Sequence, residues 1–440
     1  MQIERLTLDD ARRLGGPQGV AAHLRSLYAS PASVQDSVRE IVERVRADGE
    51  PAVLDYTRRL DTGGRDPKPL LVASEELDAA IKRLPLDVVA GLQVAIANVA
   101  EVAQAGTRGD ATLDLAQGQR ILLRELPVAS AAVYVPGGRA PYASTVVMGV
   151  VTARAAGVLD VAVCAPPGPD GEIDGAILGT CRLCGVERVY RMGGAQAIAA
   201  LAYGTETVAP VDVIVGPGNL YVQEAKRLLS ATVGIDGFAG PSDLLVLIGA
   251  DAGESAAGLV ALDLLAQAEH GEGTLVAAVA TDAGVAERLQ SELQARLGEI
   301  APERPLRAAR AAIAQAEDAA GALELANALA PEHLQLVGAE LEALAWSVTA
   351  AGCLLVGAGG ATAFSDYVAG SNHVLPTAGA ARFASMLSAR HFRRRMAEVH
   401  IGAEAAAKLA RAGAPIARLE GFEWHARSME ARIGDNLGSP

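Results

Sequence analysis

Apolar residues recur at steps of three and four along the first quarter of the chain, a period typical of amphipathic helices. The stretches SVQDSVREIVERVRADGEPAVLDYTRRL and EELDAAIKRLPLDVVAGLQVAIANVAEVA both follow this period. We therefore predict helices over most of residues 32–106, preceded by a short helical segment at residues 1–25.

The pattern changes near residue 131, where short apolar runs begin to alternate with helical stretches. Two sets of four apolar runs are predicted strands, and they lie at residues 131–136, 161–166, 187–192 and 211–215, and then at 243–249, 274–281, 333–338 and 352–357. Alternating strands and helices predict parallel sheets with helices on both faces. The expected fold is therefore α/β, with two Rossmann-like open-sheet domains.

No low-complexity linker separates these parts, so we expect the domains to interleave along the chain. The first α/β domain is predicted from residues 26–130 together with 242–387, and the second from residues 131–241. A helical N-terminal segment (1–25) and a helical C-terminal segment (388–440) complete the expected organisation.

Composition and charge narrow the class of partner. Half of the residues are hydrophobic and only 3% are aromatic, which suits helices packed closely over parallel strands by small aliphatic side chains. The formal net charge of −14 argues against a nucleic-acid partner, because such a partner calls for a basic face. The basic run Arg393–Arg395 is expected to be a solvated surface or a subunit contact.

The N-terminus and the cysteines indicate a cytoplasmic protein. MQIERLTLDD carries acidic residues and lacks the apolar core of a signal peptide. No uninterrupted apolar stretch approaches the ~20 residues of a membrane span, so no membrane association is expected. The four cysteines are too few for a disulfide framework, and the CxxC pair Cys181 and Cys184 is interpreted as two reduced, small hydrophobic residues.

Three predicted strands end in glycine-bearing turns that open helices: Pro136-Gly137-Gly138, Gly193-Gly194 and Gly216-Pro217-Gly218-Asn219. Glycine lets a ligand approach the backbone, and a following helix offers free N–H groups. Each turn alone is equally compatible with an ordinary strand-to-helix connection, and the GxGxxG fingerprint is absent. Together the three turns indicate one crevice that could hold a nucleotide.

Other segments carry side chains that could bind a metal ion or move a proton. Gln267 and His270 are three residues apart at the end of a predicted helix, so both could reach one ion, or His270 could stabilise the helix end. Glu332 and His333 are predicted in the first turn of a short helix, whose dipole would keep the imidazole neutral and able to accept a proton. The alternative for this pair is a glutamate that stabilises the helix start beside a half-buried histidine.

Asp366 lies in a loop rich in turn-forming residues that also carries His373, and it could be either a metal ligand or part of an Asx turn. Near the C-terminus, Glu420, Glu423 and His425 form a cluster that is usually solvated surface. No compact metal motif such as HExxH unites these residues. The residues alone therefore indicate an α/β enzyme with a nucleotide-like crevice and scattered metal-capable side chains.

The combination of motifs is more specific. VYVPGGRAPYASTVVM, RMGGAQAIAALAYGT, VGPGNLYVQEAKR, AGPSDLLVL, LLAQAEHG, APEHLQL and DYVAGSNHVLPT follow one another along the chain. In content and order they resemble the signature blocks of the histidinol dehydrogenases, a resemblance that runs from about residue 30 to 430. It also implies that residues 131–241 bind NAD and that the first domain carries the catalytic and metal-binding groups.

The resemblance implies a set of site residues. One zinc ion per subunit would be bound by Gln267, His270, Asp366 and His425, with Glu332 and His333 as the acid–base pair. Tyr134, Gln196 and Asn219 would contact NAD. The substrate contacts implied in the same way are Ser242, Gln267, His270, His333, Asp366, Glu420 and His425.

The activity that the resemblance implies is the oxidation of L-histidinol, through L-histidinal, to L-histidine with two NAD. The C-terminal segment would cross to the neighbouring subunit, so that Glu420 and His425 complete the partner's site in a homodimer. An enzyme of the same fold that oxidises another alcohol, such as a sulfonated propanediol, is the nearest alternative. A zinc hydrolase without NAD and a non-catalytic protein with structural zinc are less consistent with the glycine turns and with a cysteine-free ligand set.

Overall fold

The computed structural model describes residues 1–28, 33–137, 140–238, 240–301 and 304–433. The chain divides into two compact units, each built from two stretches of sequence. The first unit comprises Met1–Gly106 and Ala129–Phe392, and the second comprises Thr107–Val128 and Arg393–Pro440. Gly138, part of the first predicted glycine turn, lies outside the described residues, as do residues 434–440 of the predicted C-terminal segment.

The strands are numbered along the chain. They are β1 (Ile3–Leu6), β2 (Ala111–Asp114), β3 (Arg120–Pro127), β4 (Ser130–Tyr134), β5 (Asp160–Ala165), β6 (Arg188–Arg191), β7 (Val213–Val215), β8 (Gly234–Ile235), β9 (Asp243–Ile248), β10 (Leu275–Ala280), β11 (Arg310–Gln315), β12 (His333–Val337), β13 (Cys353–Val356) and β14 (Arg393–His400).

The helices are numbered in the same way. They are α1 (Leu8–Leu14), α2 (Gly16–Ser26), α3 (Gln35–Asp48), α4 (Glu50–Leu60), α5 (Ser74–Arg83), α6 (Leu86–Ala105), α7 (Ala143–Ala155), α8 (Gly175–Leu183), α9 (Gly194–Tyr203), α10 (Leu220–Leu229), α11 (Ala256–Ala268), α12 (Ala283–Glu299), α13 (Ala319–Leu329), α14 (Ala339–Glu342), α15 (Thr362–Tyr367), α16 (Ala403–Leu419) and α17 (Glu423–Glu430).

A five-stranded parallel sheet occupies the middle of the first unit, with the strand order β6-β5-β4-β7-β8. After β4, the chain adds β5 and β6 on one side of that strand, and it then adds β7 and β8 on the other side. Helix α7 packs closely on β4, because a Cβ at Gly149 would lie 2.5 Å from Cγ1 of Val133. The switch in direction between β4 and β7 places a crevice at the carboxyl ends of these two strands.

A six-stranded parallel sheet forms the other part of the first unit, with the order β1-β11-β10-β9-β12-β13. Its strands are apolar on both faces. In β9, for example, Leu244 and Val246 join the core under α11 and α12, whereas Leu245 and Leu247 join the core that includes α2 and α13. This alternation is expected when helices cover both faces of a sheet. The predicted α/β fold with two open parallel sheets is thus confirmed.

The second unit contains an antiparallel sheet with the order β14-β3-β2 and the helices α16 and α17. Arg395 on β14 pairs with Glu125 on β3, directly opposite in the register. The arginine run Arg393–Arg395 therefore belongs to a strand, and at least one of its charges is neutralised within the unit. A small core of Ala414, Ala417 and Ala426 joins the two helices.

Three segments differ from the sequence-based expectation. The N-terminal segment begins with β1, which pairs with β11, and the C-terminal segment begins with β14, so neither is wholly helical. Both strands gain their backbone partners from residues far along the chain, which local periodicity does not report. The apolar faces of α3 and α4 join the core of the five-stranded sheet, although residues 26–130 were assigned to the other domain. The domain boundaries themselves stay a prediction.

Helix α6 is long and apolar enough on average to cross a membrane by length and composition, although polar residues such as Asp87, Asn98 and Glu101 interrupt it. It is the one such helix among the described residues, and those two criteria alone are weak support for a span. The helix packs against α7, and the Asn98 side chain donates a hydrogen bond of 2.8 Å to the carbonyl of Val368. These contacts make α6 a part of the first unit.

Candidate active site

The side chains that could move protons meet at the amino ends of β9 and β12. These two strands are neighbours in the six-stranded sheet, with His333 paired in register to Leu244. Glu332 and His333 therefore lie beside Ser242 and Asp243, although the two pairs are about 90 residues apart in sequence. The order in which strands are added to the sheet also reverses between β9 and β12. The polar groups, however, lie at the amino ends of these strands and not at their carboxyl ends.

Hydrogen bonds join these residues into a chain. The Gln267 amide donates to the Ser242 hydroxyl at 2.6 Å, and that hydroxyl donates to Oε2 of Glu332. The backbone N–H of Asp243 donates to the same Oε2 at 2.9 Å, while Oδ1 of Asp243 accepts the backbone N–H of Glu332 at 2.7 Å. The carboxyl groups of Asp243 and Glu332 are thus each held by the backbone of the other residue.

His333 is buried between carboxylates. Its Nε2 lies 3.4 Å from Oδ1 of Asp366, and its Nδ1 lies 3.8 Å from Oε2 of Glu332. Burial by itself would lower the pKa of His333, but contact with Asp366 and the charges of Glu332 and Asp243 raise that pKa to about 9. The group can therefore exchange a proton with whatever binds between these carboxylates.

The neighbouring carboxyl groups respond to the same surroundings. Burial raises the pKa of Glu332, against the opposing charge of His333. Burial and the charge of Glu332 raise the pKa of Asp243 to about 7. Burial also acts to raise the pKa of Asp366, but contact with His333 and the charges of His333, His373 and His270 outweigh it and lower that pKa.

His270 follows the end of α11, at the same edge of the sheet. Its backbone N–H donates to the carbonyl of Gln267, and its Nδ1 lies 3.0 Å from that carbonyl oxygen. Gly271, at a φ of +88°, turns the chain away toward β10. This helix end places Gln267 and His270 together, as their spacing predicts, and the imidazole is exposed while the amide is buried.

The donors present fit a divalent metal ion, although within the described residues no three His, Cys, Asp or Glu side chains form a ready cluster. The amide oxygen Oε1 of Gln267 is buried without a hydrogen-bond partner, which is costly unless something binds it. The Asp366 carboxylate has a depressed pKa and remains charged. Nitrogen and oxygen ligands of this kind suit zinc.

A second site lies at the carboxyl ends of the five-stranded sheet. A cleft of about 1450 Å³ is lined by the turns after β4, β6 and β7, and by Tyr134, Gln196 and Asn219. The Tyr134 hydroxyl accepts the backbone N–H of Gly194 at 3.1 Å. Oε1 of Gln196 is buried without a partner, and Oδ1 of Asn219 caps α10, which leaves the NH2 group of Asn219 for a ligand. The cleft therefore presents polar groups to a nucleotide-sized molecule.

Asp61 also lines this cleft and was not identified from the sequence. Its Oδ2 accepts the amide of Gln196 at 3.4 Å, and burial raises its pKa to about 6. Its local sequence, RRLDTGG, shows no signal beyond an ordinary helix end. Only the packing of α4 against the sheet brings this carboxyl group to the cleft.

A buried ion pair holds the turn that follows β7. Nζ of Lys226 lies 2.7 Å from Oδ1 of Asp236 and also donates to the carbonyl of Gly216, while Oδ2 of Asp236 accepts the N–H of Gly216 at 2.7 Å. Gly216 has a φ of +114°, and a Cβ there would lie 2.1 Å from the carbonyl oxygen of Tyr134. Lys226 and Asp236 thus fix a backbone conformation that only glycine can adopt here.

His373 connects the two sites. Its Nδ1 lies 2.8 Å from the backbone carbonyl of Asp366, and its Nε2 lies 3.3 Å from the hydroxyl of Thr145 on α7. Helix α7 begins after the glycine turn of β4, so this imidazole ties the acid–base site to the nucleotide-sized cleft.

The structure brings together Ser242, Gln267, His270, Glu332, His333 and Asp366, all of them expected site residues, at one edge of the six-stranded sheet. Glu420 and His425 lie in the second unit. The strand predicted at 333–338 is confirmed, because His333 begins β12. The alternative expectation of a helix start at Glu332 and His333 is wrong, and carboxylates rather than a helix dipole shift the pKa of His333. Asp366 was expected in a loop but lies on α15. Asp243 and Tyr28, whose hydroxyl approaches Asp243, were missed, because the pairing of β9 with β12 places Asp243 at the site and tertiary packing brings Tyr28 there.

Comparison with known proteins gives a consistent picture. The family model described as histidinol dehydrogenase matches residues 25–433 of the chain. A protein named histidinol dehydrogenase from Gluconobacter oxydans (strain 621H) is 38% identical over 431 residues, which cover 97% of this chain and 99% of that protein. One of the same name from Synechococcus sp. is 40% identical and covers 90% of this chain and 91% of its own length.

A solved structure supports the same relationship. The crystal structure of histidinol dehydrogenase from Elizabethkingia anophelis has a TM-score of 0.88 and 28% sequence identity, and the match covers 98% of both chains. Sequence similarity and fold similarity thus extend over almost the whole length.

Replacing Lys226 with methionine should destabilise the protein by about 3–5 kcal/mol, because it leaves the Asp236 carboxylate buried without a counter-charge. The free energy of unfolding in urea measures this effect. Lys408→Met is the matched control, since Lys408 pairs with Glu404 on an exposed helix face and its loss should change stability little. Equal, small effects of the two substitutions would show that the buried pair does not hold the turn.

Proposed function

Because the chain belongs to the histidinol dehydrogenase family, we propose that it oxidises L-histidinol through L-histidinal to L-histidine, using two molecules of NAD. This reaction is the final step of histidine biosynthesis. The observation that carries the proposal within this chain is the buried pair Glu332 and His333, hydrogen-bonded or in contact with Ser242 and Asp366.

His333 acts as the base in both oxidation steps. Its imidazole accepts the proton of the substrate hydroxyl while a hydride leaves the adjacent carbon. The charge of Asp366 is one cause of the raised pKa of His333, so engaging Asp366 with a bound cation would lower that pKa toward the range in which the imidazole accepts protons.

Glu332 acts on the aldehyde. Its carboxylate, buried and oriented by Ser242 and the Asp243 backbone, takes a proton from the water that attacks the carbonyl carbon. His333 then accepts the proton of the hydrated aldehyde as the second hydride leaves. Burial of the pair keeps bulk water from the reactive intermediate.

Gln267, His270 and Asp366 would hold one zinc ion per subunit, together with His425 of a neighbouring subunit. When bound, the ion would supply a template that anchors the amine and imidazole nitrogens of the substrate. The orphaned Oε1 of Gln267 and the charged Asp366 support this assignment.

Tyr134, Gln196 and Asn219 would bind NAD in the cleft of the five-stranded sheet. The partnerless amide oxygen of Gln196 and the glycines Gly137 and Gly194 in the cleft lining suit such a ligand. The contact of His373 with Thr145 would hold the cofactor cleft in a fixed position relative to the acid–base pair.

Glu420 and His425 would complete the substrate site of the partner in a cytoplasmic homodimer. Glu423, close to both in sequence, is held by Arg418 and Arg427, which favours Glu420 as the carboxylate that contacts the substrate amine. Ser242, Gln267, His270, His333 and Asp366 supply the remaining substrate contacts.

A sulfonated alcohol fits this site less well. Three carboxyl groups, those of Asp243, Glu332 and Asp366, surround His333. Such an environment attracts an ammonium group and repels a sulfonate, which would call for an arginine or lysine. The balance of charge therefore favours histidinol.

The proposal predicts two NADH for each L-histidinol consumed, because oxidation of an alcohol to an acid removes four electrons and each NAD accepts two. NADH absorbance and histidine formation, followed with excess NAD, measure this ratio. Removing the metal with a chelator should abolish turnover, and added zinc should restore it. A ratio of one, or activity that survives metal depletion, would contradict the proposal.

Glu332→Gln should slow the oxidation of L-histidinal by about 100-fold or more but impair the oxidation of L-histidinol much less, whereas His333→Ala should impair both. Single-turnover assays that start from each substrate separate the two steps. Glu340→Gln, at an exposed position near the start of α14, is the control and should affect neither step. Equal losses in both steps for Glu332→Gln would refute this division of roles.

Shared sites predict complementation between inactive variants. His333→Ala and His425→Ala should each be inactive alone, but a heterodimer carries one site in which both residues are intact. Co-refolding or subunit exchange of an equal mixture should recover about one quarter of the wild-type activity. No recovery in a mixture that forms heterodimers would mean that His425 serves its own subunit.

A further inference from the structure

We propose that Asp243 is a positioning residue for Glu332. Its side chain holds the backbone of Glu332, and this keeps the Glu332 carboxylate in the orientation needed to hydrate the aldehyde. This inference rests on the role of Glu332 in the proposed function and assigns a task to a buried carboxyl group that the reaction itself does not use.

The first observation is the reciprocal hydrogen bonding of the two residues. Oδ1 of Asp243 accepts the backbone N–H of Glu332 at 2.7 Å, and the backbone N–H of Asp243 donates to Oε2 of Glu332 at 2.9 Å. A closed ring of this kind fixes both the backbone and the side chain of Glu332. Of its two bonds, only the one to Oδ1 depends on the side chain at position 243.

The second observation is the conformation of the segment that leads into Glu332. Ala330 has a φ of +54°, in the left-handed region that non-glycine residues seldom adopt. Ala330 is the C-cap of α13, where its N–H bonds to the carbonyl of Ala326, so the chain enters Glu332 directly from a tight helix end. The carbonyls of Pro331 and Glu332 accept the N–H groups of Gly352 and Cys353, and Asp243 supplies the acceptor on the opposite side.

The third observation concerns His333, which is anchored differently. It is the first residue of β12 and is paired in register with β9 and β13. Loss of the Asp243 side chain therefore loosens Glu332 more than His333. Because His333 serves both oxidation steps and Glu332 only the second, removal of the Asp243 side chain should affect the two steps unequally.

Asp243 is buried, with 1% of its surface exposed, so its side chain can interact only with the residues packed around it. Its second oxygen, Oδ2, has no hydrogen-bond partner, and the hydroxyl of Tyr28, in the segment after α2, lies near this carboxyl group. An asparagine could keep Oδ1 as the acceptor for Glu332 and present its NH2 group toward Tyr28. Leucine has the same branching pattern but is larger, and it provides no acceptor.

The experiment compares Asp243→Leu, Asp243→Asn and Glu332→Gln in single-turnover assays of each oxidation step. Asp243→Leu should slow the oxidation of L-histidinal by about 10- to 100-fold, as expected for a displaced catalytic group, and slow the oxidation of L-histidinol by less than about threefold. Asp243→Asn should restore the ratio of the two rates to that of the unaltered enzyme. A general folding defect would lower both rates together.

A double substitution sharpens the test. If Asp243 acts through Glu332, then Asp243→Leu should have no further effect on the second step in the Glu332→Gln background, to within about threefold. Additive losses in the double variant would overturn the inference, as would an equal loss of both steps in Asp243→Leu.

Two outcomes separate this inference from the function on which it rests. A second-step loss in Asp243→Asn as large as that of Glu332→Gln would overturn the positioning role, and this arm remains decisive if Asp243→Leu does not fold. A Glu332→Gln variant that retains normal aldehyde oxidation would instead overturn the role of Glu332 itself, and the task of Asp243 with it.

Discussion

The parallel pairing of β9 with β12 is the contact on which the acid–base site depends. It sets Ser242 and Asp243 beside Glu332 and His333 at the amino edge of the six-stranded sheet. Shifting the register by one residue would turn these side chains to the other face. The helix α11 runs antiparallel to the strands and ends at the same edge, so Gln267 and His270 arrive there without any further turn of the chain.

Burial of several carboxyl groups around one imidazole gives this site its chemistry. Asp243, Glu332 and Asp366 are each partly or fully removed from water, and together they raise the pKa of His333. A site of this kind is destabilising unless cations or hydrogen bonds compensate the charges. The donors that remain without partners, including Oε1 of Gln267, are consistent with a metal ion and a cationic substrate as the missing compensation.

The nucleotide-sized cleft is built by a different rule, at the carboxyl ends of the five-stranded sheet, where the strand order reverses between β4 and β7. Glycines of two of its turns, Gly137 and Gly194, line the cleft, and the Lys226–Asp236 pair fixes the turn at Gly216. His373 and Thr145 then join this cleft, at the carboxyl edge of one sheet, to the acid–base residues at the amino edge of the other.

The alternation of apolar runs and helical periods was sufficient to predict an α/β fold with two parallel sheets, because each element needs only its own residues to show its period. Chemical type and order likewise identified Gln267, His270, Glu332, His333 and Asp366 as candidates, and the similarity to known proteins assigned the family. The tertiary structure decided which of those residues lie together and which atoms they contact. The pairing of β1 with β11 and of β14 with β3, and the bond between Asp243 and Glu332, all join residues tens to hundreds of positions apart. Such contacts leave no local period in a single sequence, since they are set by which strands become neighbours and in which register.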